Sequence, residues 1–166
     1  QRLTELEAAS IPAVGSGNRM VVHLALATGD IDVQCAELRR WFEQPGYEIL
    51  GGASRARDAA SFRAEVSSAL AAARLAVFPV GRLYGWQPAD GDAKSFMALQ
   101  LEEAINCSAL DRIVWIPKGL DRIEEPQQRL IDDIRKTYPG HGFEVLEVPL
   151  QQLVNHLKSR GKKAVA

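Results

Sequence analysis

The sequence predicts a three-layer α/β fold built on a five-stranded parallel sheet, and three observations carry that prediction. Five short apolar runs recur along the chain, helical patterns separate them, and the first run is apolar throughout rather than alternating. A strand that is apolar on both faces belongs inside a parallel sheet, because right-handed crossovers lay helices over both sides.

Residues 1–18 hold a short helical pattern and then a tract rich in Pro, Gly and Ser, expected as a linker or leader outside a domain spanning 19–160. Met20 to Ala27 is the first strand, closed by Thr28-Gly29-Asp30. Asp30 or Asp32 is placed to cap the next helix, whose stripe of Val33, Ala36, Leu38, Trp41 and Phe42 stops at Pro45-Gly46. Tyr47 to Leu50 is the second strand, and Gly51 to Asp58 a polar, basic loop. Ser61 to Ala73 is a helix in which Ser61 and Glu65 stand one residue too far apart for a capping box. Leu75 to Val80 is the third strand, although Pro79 needs a place where no ladder N–H is required. A loop from Gly81 to Pro88 and a helix from Ser95 to Asn106, capped by Ser95, lead to a fourth strand, Arg112 to Pro117. A helix over Glu124 to Tyr138, a fifth strand over Phe143 to Val148 and a helix over Leu150 to Ser159 finish the domain, with 161–166 as a tail. This alternation points to the flavodoxin-like strand order 2-1-3-4-5, whose crevice lies beyond the C-terminal ends of the first and third strands.

Composition narrows the function. The chain has 166 residues, 46% apolar and 25% charged, with a net charge of −1. One ordinary globular domain fits those figures. Near-neutral charge leaves no footprint for nucleic acid or an anionic membrane, and no run approaches the ~18 apolar residues of a span. Cys35 and Cys107 lack CxxC neighbours, which suggests a reducing, cytoplasmic setting in which both are small half-buried side chains rather than reactive thiols. A start at Gln1 rather than Met suggests a piece of a larger parent. No GxGxxG, GxxxxGK[ST] or GxSxG occurs, and His23, His141 and His156 have no metal-ligand spacing. No metal is expected.

A set of segments carries a family resemblance. It comprises the first strand and its exit (Val22 to Asp30), Phe62 to Val66 opening the second helix, Val80 to Pro88 after the third strand, and Ser95 to Ala104 on the third helix. Together they resemble the TIR (Toll and interleukin receptor homology) domain, particularly the bacterial TIR-like domains of signalling and antiphage defence. The resemblance implies NAD as a substrate, with no prosthetic group, cleaved at the nicotinamide–ribose bond by an NAD glycohydrolase or cyclase. It also implies assembly with other TIR domains as a homo-oligomer or filament; some members assemble without chemistry.

Enzymatic members carry a Glu on the third helix, four residues after an aromatic, and the matching positions here are Gln100 and Phe96. A carboxylate offsets the positive charge that develops as the ribose bond breaks. Gln100 carries none. Three accounts remain: Glu102 or Glu103 serves instead, the domain is a non-catalytic interaction module, or Gln has been put in place of an original Glu. By the same resemblance Ala27, Thr28, Asp30, Tyr84, Trp86, Ser95 and Phe96 surround the dinucleotide. Tyr84 and Trp86 either stack on a ring or cover the apolar edge of the third helix, and Asp30 either binds ribose or caps a helix. Arg55 and Arg57 either meet the diphosphate or a partner domain, or are solvated loop charges.

Overall fold

The computed structural model describes residues 19–88 and 93–165. The expected linker at 1–18 lies outside the described residues. Five strands, β1 (Met20–Leu24), β2 (Tyr47–Gly51), β3 (Leu75–Pro79), β4 (Asp111–Trp115) and β5 (Glu144–Leu146), form one sheet in the order β2-β1-β3-β4-β5. All four pairings are parallel. The helices are α1 (Asp32–Phe42), α2 (Ala59–Ala72), α3 (Phe96–Ile105), α4 (Glu125–Thr137) and α5 (Leu150–Val165). This is the three-layer, flavodoxin-like architecture that the alternation of apolar runs predicts.

Side chains alternate across the sheet and divide the core in two. Val22, Leu24, Val77, Ile113 and Trp115 meet Leu38 and Phe42 of α1 and Leu153 and Leu157 of α5 on one face. Ala25, Ala76, Phe78 and Val114 meet α2, α3 and α4 on the other. The stripe expected on α1 is narrower than its sequence suggests: Val33 is 70% exposed, and Leu38 and Phe42 carry the burial.

Pro79 sits in a central strand without loss. Ala25 N–H donates to Val77 O at 3.0 Å, so Val77 and, two residues on, Pro79 turn their backbone toward β1. By then β1 has ended, and Pro79 faces no acceptor that needs its missing donor. The first strand stops at Leu24, earlier than the apolar run, because a side chain takes over the backbone of Leu26, as described below. The last helix continues to Val165, past the end expected at Ser159.

One cap differs from expectation, one was not foreseen and one agrees. Asp58, not a Ser61–Glu65 box, caps α2 by accepting from Ser61 N–H at 2.7 Å. Neither Asp30 nor Asp32 caps α1, whose N-cap is Ile31 with no side-chain bond. Ser95 caps α3 as predicted, accepting from Ala98 N–H at 3.1 Å while fully buried. Ser95→Ala is expected to cost about 1–2 kcal/mol, read as a lower urea midpoint with an unchanged slope. At the other end of α3, the buried Arg112 donates to Ala104 O at 2.8 Å, Ile105 O at 3.1 Å and His141 O at 2.7 Å. A cation at a helix C-terminus complements the dipole there. Between its cap and this cation, α3 is fixed in place.

Candidate functional site

The crevice expected beyond β1 and β3 is narrowed by its own loops to a small recess between the β1 exit, Asp32 and Pro79. Thr28 Oγ1 donates to Asp30 Oδ1 at 2.5 Å, and Asp30 Oδ2 accepts from Arg82 N–H at 2.8 Å. Asp30 is therefore a tie between the two loops rather than a helix cap. Close approach requires glycines on the partner loop: a Cβ at Gly81 would lie 2.3 Å from Asp30 Oδ2, and one at Gly85 2.5 Å from Thr28 Cγ2. From the far side, the buried Gln127 donates to Gly81 O at 2.8 Å, and Tyr84 N–H donates to Glu124 at 2.7 Å.

A more open recess lies one strand over. A cleft of about 380 Å³ runs between α2 and the edge of the sheet at β2, reaching His23 and Gln100. Its origin is local. Ala69 and Ala72 give α2 too little bulk to close over the edge strand. Gly51 and Gly52 end β2 at φ +88° and +90°, in the left-handed region that glycine tolerates. A Cβ on Gly51 would sit 2.5 Å from Leu24 O and 2.8 Å from the His23 ring, so the strand end can lean on His23 only as glycine.

Gln100, the position that matches the family Glu, is 1% exposed and its amide is fully engaged. Its Oε1 accepts from Leu26 N–H at 2.8 Å, and its Nε2 donates to Leu26 O at 2.8 Å and to Phe96 O at 3.3 Å. The side chain thus acts toward Leu26 as a neighbouring strand would, supplying one acceptor and one donor to both polar groups of a single residue. That pairing ends β1 and forms the inner wall of the cleft.

The two acids proposed from sequence lie on the outer side of α3. Arg63 of α2 donates to Glu102 at 2.9 Å and to Glu103 at 3.0 Å, and Lys94 reaches Glu102 at 2.7 Å. Partial burial pushes the Glu102 carboxyl up, but Lys94 and Arg63 together outweigh it and hold the group below the usual carboxylate range. Glu102 faces a separate recess that also includes Tyr84 and Lys94. Ala27 lines a third, of about 260 Å³, beside Asp32 and Cys35. The Cys35 thiol is pushed up to about 11 by burial and then by the nearby Asp32 and Asp30, so it is no ready nucleophile. Phe96 is buried edge-on to Phe62, with centroids 4.5 Å apart, and Trp86, though 72% exposed, has its ring 5.6 Å from that of Phe96. Arg55 and Arg57 are exposed on the loop that enters α2. The expected site residues are therefore spread over several places, with only Gln100 lining the α2 cleft.

The cleft contains residues that sequence reasoning passed over. Glu65, on the α2 wall, is the only carboxylate among the described lining residues, and its Oε1 accepts from the Ser54 hydroxyl at 2.7 Å. His23 is 3% exposed, and neither ring nitrogen has a hydrogen-bond partner. Burial drives its pKa down to about 4, which leaves the imidazole neutral at physiological pH. A histidine inside an otherwise apolar strand was the available signal. Among the described residues no His, Cys, Asp and Glu cluster could hold a metal ion, and no helix is long and apolar enough to cross a membrane.

Fold and cleft together define the class, a parallel α/β domain with a ligand-sized recess at one sheet edge. No family model matches the chain, and no curated protein matches it. The class rests on architecture alone.

Proposed function

We propose that the chain is a TIR-like domain that cleaves the nicotinamide–ribose bond of NAD in the α2 cleft, with NAD as substrate and no prosthetic group. The observation that carries this reading is the pairing of Gln100, at the family's motif position, with one carboxylate, Glu65, in a single cleft. In the reaction the C1′–N bond breaks, its electron pair leaves with nicotinamide, and positive charge spreads over C1′ and the ring oxygen. Glu65 offsets that charge; water then bonds to C1′ and releases a proton, giving ADP-ribose, nicotinamide and H⁺. A cyclase would deliver a group of the same molecule to C1′ in place of water.

Glu65 and the Gly51-to-Ala53 rim are solvent-exposed in the single chain. A second copy seated on that rim would exclude water and strengthen the carboxylate's effect, which fits activity on self-association. The setting we propose is cytoplasmic, in bacterial immune signalling, within a larger parent protein. Glu65→Gln should lower nicotinamide release from NAD by about 10²–10³-fold while leaving light scattering unchanged. No nicotinamide from the assembled wild type would remove the reading, and undiminished release from Glu65→Gln would remove Glu65 from it.

A second reading has its own observation. Gln100, Glu102 and Glu103 are all engaged in internal bonds, as expected of a TIR module that assembles without chemistry. Assembly that disappears with Arg55→Glu and Arg57→Glu, in a chain that never releases nicotinamide, would favour it.

A further inference from the structure

The His23 ring is the least explained polar group in the described chain. It lies on the floor of the α2 cleft, almost wholly removed from water, with both nitrogens unpartnered. Buried polar groups are bonded in the great majority of cases, and an exception inside a cavity points to a missing partner. Its surroundings supply none: Phe78 faces it at 6.3 Å between centroids, and Gly51 presses on the Nδ1–Cε1 edge. An apolar residue would fit this floor at lower cost, since an unbonded ring nitrogen forfeits its hydration for nothing.

We propose that His23 is a recognition residue for ligand, and that the cleft takes an uncharged planar heteroaromatic group whose amide or amino edge bonds the imidazole. Two features select that chemistry. A neutral imidazole offers one N–H donor and one bare acceptor, which suits a partner able to accept or donate, and a carboxamide or an aminopurine edge does both. Phe62, Val66 and Leu50 give the recess apolar walls suited to a flat ring. Free nicotinamide and the adenine end of a nucleotide both carry this chemistry. The inference deepens the NAD reading by naming what the inner end of the same cleft holds, and it does not need bond cleavage to be true.

The test uses the full chain with ¹⁵N-labelled histidine, following the imidazole nitrogens during separate titrations with nicotinamide, adenosine and NAD. The three histidines are told apart by loss of one signal set in His23→Leu. At least one probe should move the His23 nitrogens at saturation. His23→Leu should bind that probe about ten- to a hundredfold more weakly while melting at the same or a higher temperature, a combination that a merely structural residue would not give. His23→Asn, which keeps a donor and an acceptor, should recover part of the affinity. Response to nicotinamide alone assigns the inner end to the pyridine, and response to adenosine alone assigns it to the purine. His23 signals unmoved by all three probes, or equal affinity in His23→Leu, would overturn the proposal. If NAD is cleaved with unchanged KM in His23→Leu, this inference fails and the NAD reading stands. If His23 responds to a probe while NAD is never cleaved, the inference stands and the glycohydrolase reading falls.

Discussion

Gln100→Glu should lose on the order of 2–4 kcal/mol of folding stability at neutral pH, the cost of disturbing a buried polar pairing and of keeping a carboxyl protonated well above its ordinary pKa. One carboxylate oxygen can still accept from Leu26 N–H. The other would face Leu26 O, which now receives a donated hydrogen at 2.8 Å. Two acceptors at that distance repel unless a proton lies between them, so the introduced carboxyl holds its proton in the folded chain and its pKa is raised. A raised acid pKa means that the folded state binds more protons than the unfolded state, so stability falls as pH rises from the ordinary Glu value through the folded one. Urea melts of variant and wild type should therefore converge at low pH and diverge above about pH 4.3. A variant as stable as wild type at pH 7 would show that the Leu26 pairing carries no weight. The substitution that the family pattern invites is thus expected to disturb the wall of the cleft rather than supply a working acid.

Stability should also fall between about pH 6.5 and pH 4 because of His23, with a total loss on the order of 3 kcal/mol. Its folded pKa is down to about 4 from the ordinary 6.5, and burial is the cause. In that window the unfolded chain binds a proton that the folded chain refuses, so stability drops by about 1.4 kcal/mol per unit of falling pH and levels off below the folded value. Carboxylates held low, such as Glu102 and Glu147, also cost stability under acid. The contribution of His23 is therefore read as the difference between wild type and His23→Leu in paired denaturant titrations. A difference that is flat from pH 7 to pH 4 would mean that the imidazole titrates normally and that water reaches it freely. Bound ligand should deepen the loss, because a ligand that bonds neutral imidazole adds to the price of protonating it.

The sheet and its order were legible because each strand announces itself locally. Five apolar runs, each followed by a helix, leave little topological choice once crossovers are right-handed. Ser95 was legible for the same reason, since a cap is chosen within three residues. The reading of α3 by helical periodicity was less successful. Every residue from Phe96 to Leu101 is buried, so the helix has no clear solvent face in its first turns and periodicity alone cannot place Gln100. Asp30 looked like a cap because caps are local, yet its partner is the backbone of Arg82, fifty-two positions on.

What the sequence by itself determined is the parallel sheet, the two layers of helices and the near-neutral net charge. These depend on hydrophobic period and composition, which are properties of neighbours along the chain. Tertiary structure alone decided where the open cleft lies, that Glu102 and Glu103 are held by Arg63, and that His23 and Glu65 share one recess. Hydrogen bonds and charge pairs act over a few ångströms of space, and the groups they join here come from strands and helices that meet only when the chain has folded.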